Sequence, residues 1–162
     1  PSYGPEMRGG TANCAVILSD EPIGSPMVSE PDVLIAMNLP SLTAYQPRVQ
    51  TGGEILYDAS LIREAPERED VRLRALPATK LASDAGLEGL ANMILLGAFL
   101  SDCLPLNETE ILHALEQTVP RHKAHLIEAN RHAIAIGKQT IEQTEQELHS
   151  ETKRISHPRK VG

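Results

Sequence analysis

Residues 33–58 read VLIAMNLPSLTAYQPRVQTGGEILYD, and this stretch decides the fold. It opens on one short apolar run, 33–37, and closes on another, 54–58. Turn residues bound them: Asn38-Leu39-Pro40 after the first, Thr51-Gly52-Gly53 before the second. Apolar runs of this length between turn signals read as strands buried on both faces. Between them, Ser41 is placed to cap a helix running toward Val49, which Pro47 bends or ends early. Thr51–Glu54 reads as a turn feeding the second strand. Strand, helix, strand is the unit from which parallel sheets are built.

The pattern extends in both directions. Upstream, 12–19 (ANCAVILS) is a third apolar run, closed by Asp20-Glu21-Pro22 and expected to be another buried strand. Downstream, 71–76 (VRLRAL) alternates, which predicts a strand with one wet face. Residues 77–86 (PATKLASDAG) predict a short helix closed by Gly86. Residues 87–104 are apolar nearly all round and predict a central, buried helix. Gly89 and Gly97 within it suggest close approach to a neighbouring backbone. Asn107 with Glu110 has the spacing of a capping box, so a third helix starts there, and a fourth follows Pro120. The predicted fold class is α/β: a three-layer α/β/α domain with a mostly parallel sheet and a C-terminal helical extension.

Within the last segment Ile127, Ile134, Ile141, Leu148 and Ile155 recur every seven residues. Their companion positions, Asn130, Gly137, Thr144 and Glu151, are polar or bare, so the two-residue seam of a coiled coil is absent. One apolar residue per two turns suits a helix lying on a globular surface. The organisation expected is an α/β domain over 1–138 and a polar, helical or disordered tail over 139–162.

With 162 residues the chain fits one domain, and 41% hydrophobic residues can fill a core. Aromatics are confined to Tyr3, Tyr45, Tyr57 and Phe99, so that core is aliphatic. No run approaches the ~18 apolar residues of a membrane span. A net charge of -7 repels a phosphate backbone and argues against nucleic acid as a partner. Cys14 and Cys103 sit in apolar runs and are expected to be buried free thiols, as in a cytoplasmic protein. Two cysteines cannot supply the four thiolates of a typical iron–sulfur cluster or a Cys-only zinc site. His122 and His125, with Glu128 and His132, fall near one helical face at a spacing that suits a divalent ion. Their flanks are Arg121, Lys123 and Arg131 and no His-Glu-x-x-His occurs, so a solvated helix face is the better reading. Dinucleotide, Walker and nucleophile-elbow signatures do not occur either.

The opening stretch, PSYGPEMRGGTAN, is of another kind. Gly9-Gly10 lets the backbone approach another molecule, with its amides free to point at it. Arg8 adds a planar fork suited to carboxylate or phosphate. Glu6 can orient that arginine, and Tyr3 offers a rigid amphipathic ring. On these residues alone, an anion- or partner-facing loop and an ordinary turn leading into 12–19 both remain open.

The string SYGPEMRGGTANCAVILSDEPIGSP, followed by EPDVLIAMNLPSL and later by LPATKLASDAGLEGLANMILLGAFL, resembles the gamma subunit or domain of the 2-oxoacid:ferredoxin oxidoreductases. The likeness covers about residues 2–120 and is nearest to the 2-oxoglutarate or broad 2-ketoacid type. Members of that family begin with a strand and a glycine-rich turn that this sequence does not contain. The resemblance therefore implies that the sequence starts at an interior loop. It also implies an α/β/α domain without cofactor of its own, inactive when isolated. Its partners would be the alpha and beta subunits, and a delta subunit where the complex has one. Thiamine diphosphate, Mg and iron–sulfur clusters would reside in those partners. The complex would decarboxylate a 2-oxoacid oxidatively, form an acyl-CoA and pass electrons to ferredoxin, in the cytoplasm. Tyr3, Glu6, Arg8, Gly9 and Gly10 would form a loop facing the catalytic subunits, with CoA as a neighbour at the interface. No residue of this chain is expected to be catalytic or to bind metal. A stand-alone binding or scaffold module with the same fold is the alternative.

Overall fold

The structure, a computed structural model, describes residues 12–25, 27–101 and 108–156. The chain divides into two compact units, Pro1–Pro77 and Ala78–Gly162.

In the first unit, β1 (Val33–Ala36), β2 (Glu54–Asp58) and β3 (Arg72–Leu76) form a parallel sheet in the order β1-β2-β3. Val33 pairs with Glu54, and Glu54 with Arg72. The α/β class and the parallel sheet are as the sequence predicts. Between β1 and β2 lie α1 (Leu39–Tyr45) and a 3-10 turn over Gln46–Arg48. The cap of α1 is Asn38 rather than Ser41: its side-chain oxygen accepts from the Ser41 amide at 2.8 Å. Pro40 explains the difference. A proline is tolerated in the first turn, where its missing N–H would have no partner in any case, so the helix starts before it. Pro47 ends the α-helix as expected, and the chain continues as a 3-10 turn.

Leu34, Ala36, Ile55 and Tyr57 pack on one face of the sheet with Leu42 of α1, Val49 and Ile62. Leu42, Ile55 and Ile62 are at most 2% exposed, and each such side chain stabilises the unit by about 1.5–3 kcal/mol. Gly52 turns the chain with φ +81°. At Gly53 a Cβ would press on the carbonyls of Asp32 and Gln50, so the turn into β2 requires a residue without one.

Two expectations in this unit are corrected. Residues 12–19 form no strand; Val16 is 76% and Leu18 68% exposed. β-branched residues gain a ladder only from a neighbouring strand, and no described strand pairs with this run. Cys14, carried on it, is exposed rather than buried. In β3 the alternation runs against its chemistry: Arg74 is 4% exposed while Leu73 is 37% exposed. Arg74 donates to Glu54 at 3.1 Å, and that pairing takes the arginine inside.

The second unit is helical: α2 (Ala78–Asp84), α3 (Ala91–Leu100), α4 (Glu108–Thr118) and α5 (Leu126–Ser156), with a 3-10 turn over Arg121–Lys123. Gly86, with φ +67°, follows α2 as its C-terminal stop. The apolar helix expected over 87–104 is shorter at its start. Gly89 takes φ +87° and faces open space, so it is a turn glycine and not a packing glycine. Gly97 is the packing glycine. A methyl there would run into the Ile134 carbonyl of α5, and one on Gly137 would run into the Ile94 carbonyl of α3. The two backbones thus meet through reciprocal glycines. Ala91, Ile94, Leu95 and Ala98 of α3 and Ala133, Ile134 and Ile141 of α5 are buried. The bare position Gly137 is therefore where α3 seats. Cys103 and Asn107 lie outside the described residues.

Candidate functional site

Tyr3, Glu6, Arg8, Gly9 and Gly10, the loop residues singled out from sequence, lie outside the described residues. Described instead are the segment that continues this loop from Ala12 and the platform that receives it. The platform is the turn between α1 and β2. Arg68 holds it from below. Its Nε and Nη2 donate to the two Asp70 carboxylate oxygens at 2.6 and 2.7 Å. Nη1 donates to the Gln46 carbonyl at 2.7 Å and Nη2 also to the Val49 carbonyl at 2.9 Å. Thr51 donates to Asp70 at 3.0 Å, and the Gly52 amide to the Asp70 carbonyl at 2.7 Å. The bond from Arg68, assisted by Thr51, holds the Asp70 carboxyl well below the usual carboxylate range, although partial desolvation opposes it. The same bond to Asp70 raises the Arg68 guanidinium. A fork committed to one carboxylate and two carbonyls is a brace rather than a substrate-binding cation.

On the platform stand exposed Arg48 and half-buried Tyr45. The Arg48 guanidinium lies 5.8 Å from the centre of the Tyr45 ring, a cation–π contact. The Tyr45 hydroxyl accepts a hydrogen bond from the Asn13 side-chain amide. Farther along, Met27, Val28 and Glu30 line an open cleft together with Arg48, Gln50 and Thr51. Asn13 bonds to Tyr45 just before this turn, and residues 27–30 line the cleft beside it. Val16, Leu18 and Ile23 are exposed, and Met27 is 85% exposed. The cleft lies by residues that precede β1 and β2, at the amino ends of these strands. Open parallel sheets take their ligands at the carboxyl ends, so this cleft is not where the fold would hold a substrate.

His122, His125, Glu128 and His132 are all exposed. Among the described residues no group of three or more His, Cys, Asp or Glu is placed to hold a metal ion. Likewise, no described helix is long and apolar enough to cross a membrane. Sequence reasoning missed the Arg68–Asp70 brace and the Asn13–Tyr45 bond. The latter joins residues 32 apart, a separation with no local signature.

Fold and site together define an α/β protein whose described surface groups hold chain segments in place rather than enclose a substrate. The chain belongs to the pyruvate ferredoxin/flavodoxin oxidoreductase family, whose profile matches residues 1–140. It is 38% identical over 138 residues to ketoisovalerate oxidoreductase subunit VorA of Methanothermobacter thermautotrophicus, across 85% of this chain and 28% of that one. It is 33% identical over 125 residues to 2-oxoglutarate synthase subunit KorC of the same organism, across 74% of this chain and 66% of that one. The chain therefore spans about a quarter of VorA and about two thirds of KorC. Among solved structures it is similar to the gamma subunit of a keto/oxoacid ferredoxin oxidoreductase from Geobacter sulfurreducens. The TM-score is 0.70 at 28% identity, over 86% of this chain and 76% of that one.

Proposed function

We propose that this chain is the gamma component of a 2-oxoacid:ferredoxin oxidoreductase of the 2-oxoglutarate type. One observation carries the reading: likeness to KorC along about two thirds of that subunit, in a chain whose fold follows a gamma subunit. The complex would decarboxylate a 2-oxoacid, transfer the acyl group to CoA and deliver the two electrons released to ferredoxin. Thiamine diphosphate, Mg and iron–sulfur clusters would be held by alpha and beta subunits, and a delta subunit where one is present. This chain's part is structural. It would present the Tyr3–Gly10 loop, with Glu6 orienting Arg8, to the catalytic subunits in the cytoplasm, with CoA as a neighbour. Arg8→Ala is expected to weaken assembly or turnover about ten- to hundredfold while the lone chain melts unchanged. Early melting of the lone chain would make Arg8 structural instead.

A second reading rests on the VorA likeness: the same assembly acting on a branched 2-oxoacid. Purification of the native complex separates the two readings. Ferredoxin reduction should be fastest with 2-oxoglutarate under the first and with 3-methyl-2-oxobutanoate under the second. If the chain purifies without partner subunits, both readings fail.

A further inference from the structure

We propose that the cleft between residues 27–30 and the turn 47–51 is a docking site for an extended segment of a partner subunit, with Arg48 receiving that segment's single carboxylate. The proposal rests on the reading of this chain as one subunit of a larger complex.

The receiving wall is built before any partner arrives. Arg68 donates to the Gln46 and Val49 carbonyls on either side of Arg48 and is itself neutralised by Asp70. Val49, 3% exposed, roots the turn in the core of the first unit. Gln50 ties the two walls together at one end. Its amide donates to the Pro31 carbonyl at 3.1 Å, and its side chain donates to the Asp32 carboxylate. The cleft is therefore a notch held from beneath and at one end.

Arg48 is the cation this notch leaves available. In the same unit Arg68 is bound to Asp70, and Arg72 and Arg74 meet Glu54. Arg48 is exposed and meets no carboxylate among the described residues. Its guanidinium lies 5.8 Å from the centre of the Tyr45 ring, a contact that orients the fork without neutralising it. In a chain of net charge -7, an oriented arginine of this kind suits a carboxylate from outside. Glu30 lines the facing wall and repels a second acid. The segment that fits thus carries one carboxylate with apolar neighbours, for which Met27 and Val28 offer contact.

The openness of the cleft decides the class of occupant. A small ligand is held by burying most of its surface. Here Met27 is 85% exposed, and Arg48, Gln50 and Thr51 are exposed as well, so a small carboxylate would remain largely in water. A segment carried by a larger protein covers the cleft from outside and excludes that water. Residues 27–30 form neither strand nor helix, which leaves their backbone open to an extended chain.

The test compares the native complex with the lone full chain. On assembly, hydrogen exchange should slow at the amides of residues 27–30 and 48–51. Arg48→Gln should weaken association with the co-purifying subunits about tenfold. Arg48→Lys should weaken it less, because the charge stays while the fork is lost. Arg63→Gln, at an exposed arginine that does not line the cleft, should change nothing. Each lone variant should melt with its parent. Undiminished association of Arg48→Gln would overturn the proposal, and so would equal losses at Arg48 and Arg63, which would mark an effect of overall charge. A lone Arg48→Gln chain that melts well below its parent would show a structural arginine and overturn it too. If the complex assembles while exchange at both walls is unchanged, the docking site fails and the subunit reading stands. A chain that purifies without partners removes both.

Discussion

Glu54 and Arg74 meet at 3.1 Å with side chains 9% and 3% exposed, and Arg72 approaches the same carboxylate at 3.6 Å. Removing one member of a buried pair typically costs about 3–5 kcal/mol, because the other charge stays inside. Replacing both members with apolar residues is often neutral. Glu54→Leu should therefore lower the urea midpoint strongly, and adding Arg74→Met should restore much of it. A double variant weaker than the single would show that the pair does not govern this position. Asp70 behaves differently, being held by Arg68 at the surface. An ordinary aspartate titrates near 3.9, and Asp70 lies below that when folded. A depressed folded value stabilises the protein above about pH 4, and this is lost as pH falls through the folded value. The gap in urea midpoint between the parent and Asp70→Asn should be constant above about pH 5 and shrink toward pH 2. A gap that widens on acidification would reverse the assignment.

At the scale of elements, the crossing of α3 and α5 sets two effects against each other. Gly97→Ala gains about 1 kcal/mol in helix propensity. Overpacking costs about 1–3 kcal/mol, and more where nothing can yield. The methyl would meet the Ile134 carbonyl, which belongs to a helix backbone and cannot rotate away. Gly97→Ala and Gly137→Ala should both lower the melting temperature of the helical unit, and a rise in either would refute the crossing. Ile141, 2% exposed, should cost about 2–5 kcal/mol when cut to Ala, read from urea unfolding by circular dichroism. The sequence announced some of this. EILYD was legible to the residue because turn glycines and an unbroken apolar run bound it. Gly97 was legible because a glycine within an apolar helix calls for a packing reason. Gly137 was not, because a bare position in a polar segment looks like a missing contact until the facing backbone is known. The run 12–19 misled for the opposite reason: its composition is that of a strand, but pairing depends on a neighbour that composition does not report.

For the whole molecule, the α/β class and parallel sheet followed from the apolar runs 33–37 and 54–58 and the alternating run 71–76, whereas the division into two units did not. Leu76 ends a strand and Ala78 begins a helix, a change of element the sequence does mark, but a change of element is not by itself a change of unit. The candidate loop residues Tyr3, Glu6, Arg8, Gly9 and Gly10 were singled out by their chemistry, but only the resemblance chose a partner-facing loop over an ordinary turn. The exposed Val16, Leu18, Ile23 and Met27 stand out on a chain of net charge -7. Exposed positions contribute little to stability, typically within about 0.5 kcal/mol. Val16→Thr with Leu18→Thr should leave melting unchanged and reduce self-association seen by light scattering. A lower melting temperature would show that the segment is packed.

The reciprocal glycines also bear on how the protein is made. Gly97 leaves the ribosome forty residues before Gly137. At about 5–20 residues per second, α3 waits roughly 2–8 s for the surface it is shaped to meet. Its sequence, ANMILLGAFL, offers no polar face to water in that interval. The newborn chain is therefore a natural client for factors that shield apolar helices during synthesis. Slow codons between positions 101 and 137 should lengthen that exposure and reduce the yield of folded chain.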